Sequence, residues 1–186
     1  MATAFSRFVW YDLNTTDRAA AKDFYSKVVG WTLTPFADSP KPYDMWTNGK
    51  EMIGGVADLP QSAIDMGAPP HWLGYVAVEN TDETVVKAKA LGGSSMVPAF
   101  DIPNVGRVGI IADPTGGVMA AFQPASEMPL PFGDDIPAGF FSWHEMMSSD
   151  SSKAYAFYKE LFGWIDSDKM DMGEENGGIY QMYKAE

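Results

Sequence analysis

Apolar positions along this chain recur in two rhythms. Short runs alternate with period two, and longer stretches repeat at spacings of three and four. Phe8 to Leu13 is an aromatic and branched run that predicts a strand. Thr15-Thr16-Asp17 follows and can cap a helix, because a short side-chain oxygen satisfies free backbone N–H groups. Ala20, Ala21, Phe24, Tyr25 and Val28 then fall on one amphipathic helical stripe. Gly30 ends it by tolerating a left-handed backbone. Strands are predicted from Trp31 to Pro35, Met45 to Thr47 and Met52 to Val56, with Asn48-Gly49 turning between the last two. The order is β-α-β-β-β. The middle of the chain repeats it: strand Trp72 to Val78, helix Asp82 to Leu91, then strands Ser95 to Pro98, Gly106 to Ala112 and Val118 to Phe122. Asp113-Pro114-Thr115-Gly116-Gly117 is a tight turn before the final strand.

An explicit repeat accompanies the pattern. Trp10 to Trp31 aligns without a gap with Trp143 to Trp164, 133 residues on. Trp10 matches Trp143, Asp17 matches Asp150, and Ala21 matches Ala154. Phe24-Tyr25 matches Phe157-Tyr158, and Gly30-Trp31 matches Gly163-Trp164. A third unit therefore begins near residue 138, with Trp143 and Glu145 expected on one face of its first strand and His144 on the other. The Pro-rich stretch 125–137 reads as a connector. The expected organisation is one complete module over 1–124, made of units 1–66 and 67–124, a linker at 125–137, and the start of a second module over 138–186. The chain ends abruptly in mid-strand, as a truncation or a partner-completed sheet would.

Composition narrows the chemistry. The 186 residues contain no cysteine, two histidines and a net charge of −12. Absent cysteine removes disulfides, thiol nucleophiles and Cys-based metal sites, and fits a reducing cytoplasm. The acidic balance argues against nucleic acid as a partner, since that affinity rests on Lys and Arg against phosphate. It favours a cationic small ligand. No apolar run is long enough to span a membrane, and the N-terminus lacks a signal-peptide core. Asp166 to Asp171 misses the oxygen pattern of a calcium loop and reads as an acidic hairpin tip. Gly54-Gly55 and Gly92-Gly93 lack phosphate-loop spacing.

The tandem β-α-β-β-β order, the D-x-x-x-A-x-x-F-Y-x-x-x-x-G-W string and the D-P-x-G turn together resemble the vicinal oxygen chelate superfamily: glyoxalase I, bleomycin-resistance proteins and extradiol dioxygenases. Within it the chain resembles bacterial glyoxalase-like proteins with two tandem modules. The resemblance implies an α+β fold in which paired units form a curled, cup-like mixed sheet with helices outside, the second module being incomplete. It also implies where a divalent metal would sit, on the first and last strand of each unit. Those positions here are Trp10, Gly54 or Gly55, Trp72 or Leu73, and Ala120. None can coordinate a metal. No cofactor is expected, with a divalent metal as the alternative.

The candidate ligand-binding residues are aromatic with a few polar anchors. Phe8, Trp10 and Asp12 alternate onto one face, Trp46 and Trp72 come from other strands, and Phe122 comes from the last. Trp143 and Glu145 repeat Trp10 and Asp12, and Arg107 is a candidate anion anchor. Core filling is the competing reading for the aromatics, a structural hydrogen bond for Glu145, and a solvated strand-edge charge for Arg107. His71 and His144 are the two residues that a shifted metal site could use. Catalytic residues are not legible. The leading expectation is a small-molecule-binding protein without the family's metal. The alternative is a metal-dependent lyase or dioxygenase. A homodimer is open, because family members pair modules across subunits.

Overall fold

The computed structural model describes residues 4–37, 39, 41–128 and 136–185. Its elements follow the predicted order closely. Strand β1 (Phe8–Thr15), helix α1 (Arg18–Val28), β2 (Thr32–Pro35), β3 (Tyr43–Asn48) and β4 (Glu51–Asp58) make the first unit. A short helix α2 (Gln61–Asp65) was not foreseen. The second unit is β5 (His71–Ala77), α3 (Thr81–Ala90), β6 (Ser94–Ile102), β7 (Gly106–Ala112) and β8 (Val118–Pro124). The third supplies α4 (Ser151–Phe162), β9 (Ile165–Asp171) and β10 (Ile179–Lys184). The class is α+β, and strand pairing is mixed: β1 runs parallel to β4, while β2–β3, β3–β4, β6–β7 and β7–β8 are antiparallel. Among the described residues, no helix is long and apolar enough to cross a membrane.

Contacts gather the chain into two compact units that interleave in sequence. One comprises Phe8–Tyr75 with Leu130–Glu145. Its strands lie in the order β2-β3-β4-β1-β5. Its core is Leu13, Trp31, Trp46, Ile53 and Val56, with Tyr25, Trp72, Phe140 and Phe141 packed against them. Asp17 caps α1 by accepting from the Ala20 N–H at 2.9 Å, and Gly30 takes a φ of +84° just beyond the helix. The Trp31 indole donates to the Gly139 carbonyl at 2.7 Å, and Asn48 donates to the Ala138 carbonyl at 3.1 Å.

Those two bonds bear on the expected strand around Trp143, which does not form. Residues 141–148 have no strand conformation. Just ahead of them, backbone acceptors are taken by side chains, and Phe141 packs on Tyr11 and Trp72. The segment serves as filling for the core instead of as a ladder partner. A second correction concerns Asp166 to Asp171. These residues are strand β9 itself, paired with β10, and the reversal falls between them around a 3-10 turn at Glu174–Asn176.

The other unit comprises Met1–Arg7, Val76–Pro129 and Met146–Glu186. Strands β8, β7 and β6 lie in that order, with α3 and α4 packed together. The predicted turn at Asp113 is its anchor. Asp113 is 4% exposed and accepts from Thr115 N (2.6 Å), Thr115 Oγ1 (2.7 Å), Gly117 N (3.1 Å) and Tyr158 Oη (2.8 Å). Burial works to raise its pKa, but these donors outweigh it and hold the carboxyl below its ordinary value. Four donors converge on one ion, so removing it strands all of them. We expect Asp113→Ala to lower the unfolding free energy by about 3 kcal/mol in denaturant titration at neutral pH.

Candidate functional site

The polar centre of the first unit is Asp12. It sits on β1 between β4 and β5, opposite Gly55 of β4. Three donors surround its carboxylate. Trp10, two residues earlier on the same strand face, donates Nε1 to Oδ1 at 2.9 Å. Tyr43 of β3 donates Oη to Oδ1 at 2.6 Å. Tyr75 of β5 donates Oη to Oδ2 at 2.6 Å. The Trp10 indole also lies 3.0 Å from Tyr43 Oη.

Tyr43 must cross the whole of β4 to arrive there, and Gly55 makes this feasible. A Cβ at residue 55 would overlap the hydroxyl end of Tyr43 and stand 2.6 Å from Asp12 Oδ1. The glycine is thus a gap in the sheet surface through which a phenol reaches a carboxylate two strands away.

Loss of water is the largest influence on Asp12 and raises its pKa, while the hydrogen bonds from Tyr43, Tyr75 and Trp10 oppose the rise. Tyr43 and Tyr75 are both driven up, first by burial and then by the neighbouring Asp12 charge. Both phenols are therefore held as donors. The chemistry available is hydrogen bonding and proton holding, not nucleophilic attack.

Trp10 and Asp12 are the predicted residues that this centre unites; Tyr43 and Tyr75 were missed. Tyr43 and Trp46 have opposite parity on β3, as do Trp72 and Tyr75 on β5, so the tyrosines carried the signal that the tryptophans obscured. Trp46 is fully buried and Trp72 packs against the same core. Trp72 donates Nε1 to Tyr25 Oη at 2.9 Å, in a cluster that includes Trp31. Phe8 departs from the expected alternation. Its ring stacks on His144 with centroids 4.0 Å apart and fills the space left by Gly74. Trp143 is exposed, as is Glu145, on a segment without strand conformation.

In the other unit, Phe122 is buried against Gly106. Arg107 bonds both oxygens of Asp82 at 2.6 and 3.0 Å, and Asp101 at 2.9 Å. Its guanidinium is already engaged by carboxylates, which raise it further while it holds Asp82 low.

His71 donates Nδ1–H to the Pro69 carbonyl at 2.7 Å, where β5 begins. His144 lies 2.5 Å from Tyr11 Oη through Nε2, and Tyr11 stacks on Phe141. Packing against these rings lowers the His144 pKa to about 4, and burial raises that of Tyr11. The hydrogen bond therefore joins a neutral phenol and a neutral imidazole. Among the described residues, no group of three or more His, Asp or Glu side chains is placed to hold a metal ion. The residues at the four family ligand positions, with indole, hydrogen or alkyl side chains, do not fit a divalent metal either.

Comparison with known proteins agrees with this architecture. The family model of the Glyoxalase/Bleomycin resistance protein/Dioxygenase superfamily matches residues 7–122, and the chain belongs to that superfamily. A Mycobacterium tuberculosis relative named "Putative glyoxylase CFP32" is 35% identical over 181 residues, covering 95% of this chain and 66% of the relative. Anthracycline biosynthesis protein DauV of Streptomyces sp. strain C5 is 26% identical over 172 residues, covering 86% of this chain and 61% of that protein. The chain thus spans about two thirds of the length of these relatives. The Mn(II)-bound glyoxalase from Novosphingobium aromaticivorans superposes with a TM-score of 0.59 at 14% identity, over 92% of this chain and 56% of that one. The 2,3-dioxygenase LapB from Pseudomonas sp. KL28 gives 0.60 at 12% identity, over 97% and 67%. Both likenesses are of fold.

Two measurements test the electrostatics. Ultraviolet titration should show Tyr43 and Tyr75 ionising above an ordinary phenol, and Asp12→Asn should bring both down, because their second cause is the Asp12 charge. For His144 the folded pKa is depressed from 6.5 to about 4, so the unfolded chain binds the extra proton. Its contribution is present above 6.5 and is lost as pH falls toward 4. His144→Phe should accordingly lose less Tm than the parent between pH 7 and pH 4.5 in thermal melts.

Proposed function

We propose that this chain binds a small organic molecule without the superfamily's catalytic metal. The observation that carries the reading is the replacement of metal donors by a hydrogen-bonding centre. The first-strand position is Trp10, and the polar group beside it is Asp12, held by Trp10, Tyr43 and Tyr75. Such a centre suits a ligand hydroxyl or cationic nitrogen that exchanges with one of the phenols at Asp12. The acidic balance of the chain, at −12, favours the cation. Burial raises the Asp12 pKa, so its carboxyl holds a proton more readily than a solvated carboxylate does.

We also infer that 1–124 is one module, 125–137 a connector and 138–186 the first stretch of another. The repeat of Trp10–Trp31 in Trp143–Trp164 supports that division. The same cap is rebuilt in the later copy at α4, where Asp150 accepts from Lys153 N at 3.0 Å.

Elemental analysis and a thermal-shift screen test the function together. The purified protein should contain no stoichiometric manganese, iron, nickel or zinc. Small hydroxylated or cationic compounds should raise its Tm, and Asp12→Asn should lose that rise by about tenfold in affinity, the worth of one charge-assisted hydrogen bond. One transition metal per chain, removed by His71→Ala or His144→Ala, would establish the lyase or dioxygenase reading instead.

A further inference from the structure

The two copies of the repeated helix have the same sequence pattern and opposite burial. In α4, Phe157, Leu161 and Phe162 are 3%, 7% and 6% exposed. Their counterparts 133 residues earlier, Phe24 and Val28 of α1 and its C-cap Val29, are 55%, 64% and 39% exposed. The caps are alike, the closing glycines are alike, and Trp31 and Trp164 are equally buried. The whole of α1 is less buried than α4, and the difference is greatest along one stripe.

What the stripe does is visible in α4. Phe157 lies against Gly93 just after α3, so closely that a Cβ on that glycine would stand 2.8 Å from the ring. Leu161 and Phe162 line a hollow with Thr84 and Lys87 of α3. At these repeat positions, apolar side chains serve to pack one helix on another. Phe24 and Val28, with Ala20 one turn earlier, form that stripe on α1 and leave it in water. A phenylalanine and a valine exposed on adjacent turns leave apolar surface in water that association would bury.

We propose that the Ala20–Phe24–Val28 stripe is the contact between two copies of this chain, with the two α1 helices antiparallel about an axis level with Tyr25, midway between Asp23 and Lys27. The flanking charges select a second copy. Asp23 and Lys27 stand one turn apart on the same side of the stripe and pair within the helix at 2.7 Å, both largely exposed. Reversing the helix across a two-fold axis sets Asp23 of each copy opposite Lys27 of the other. The same helix face is therefore complementary to itself in charge as well as apolar along its centre. The chain's own α3, whose face α4 already covers, is not available as the partner.

Sedimentation equilibrium over a wide concentration range tests this. The parent chain should dimerise, and Phe24→Glu should be monomeric with unchanged circular dichroism and with the Tm of the parent at dilutions where the parent is itself monomeric, since the residue is exposed. Lys27→Asp alone should weaken the dimer about threefold to tenfold, by placing two like charges across each pair. The double exchange Asp23→Lys with Lys27→Asp should restore it, because the two-fold partner then carries the reversed complement. A parent that stays monomeric throughout overturns the proposal and assigns the stripe to a different cover. A dimer that survives Phe24→Glu, or a double exchange as weak as the single one, overturns it too.

Discussion

The first unit depends on how one carboxylate is kept out of water. Asp12 receives donors from its own strand, from a strand two places away and from the neighbouring strand on the other side. Ionisation there is disfavoured by burial, so each donor offsets part of a cost that the fold itself imposes. The constraint reaches into the backbone. Residue 55 has to lack a side chain, because the Tyr43 phenol occupies that space. Four strands, β1, β3, β4 and β5, thus have their registers tied to the position of two oxygen atoms. A centre so tightly coupled is a precise hydrogen-bonding device.

Asp113 is the second unit's counterpart in logic but not in chemistry. There the donors win, the pKa falls, and the carboxylate is a fixed ion that closes a turn and receives Tyr158. Tyr158 repeats Tyr25, which instead accepts the Trp72 indole. One aromatic position of the repeat has therefore been given two hydrogen-bonding roles, each suited to the polar group its unit presents. The repeat preserves where a ring packs; the surroundings decide what its oxygen does.

Much of the architecture was legible because it is local. The shared face of Trp10 and Asp12 in β1, the Asp17 and Asp150 caps, the glycines after both helices and the Asp113 turn are properties of neighbouring residues, and each is found where the local pattern placed it. Asp12 and Trp10 were legible for the same reason. What escaped depended on long-range pairing. Tyr43 and Tyr75 join Asp12 only because β3, β4, β1 and β5 lie in that order, which no local pattern records. Trp46 and Trp72 drew attention as large aromatics, yet their parity sends them into the core beside Trp31. The segment around Trp143 carries a strand-like sequence that its packing overrides, since Phe140 and Phe141 gain more from the core than from a ladder.

Trp46 has a consequence of an optical kind. Its side chain is wholly buried, and among the described residues its Nε1 is the buried side-chain nitrogen or oxygen without a hydrogen-bond partner. An indole in dry surroundings with no donor interaction emits at the short-wavelength end of the tryptophan range, whereas Trp143, 62% exposed, emits at the long end. The two rings belong to the same compact unit and report on it from opposite environments. The spectrum of this chain therefore contains its own ruler for how dry that core remains.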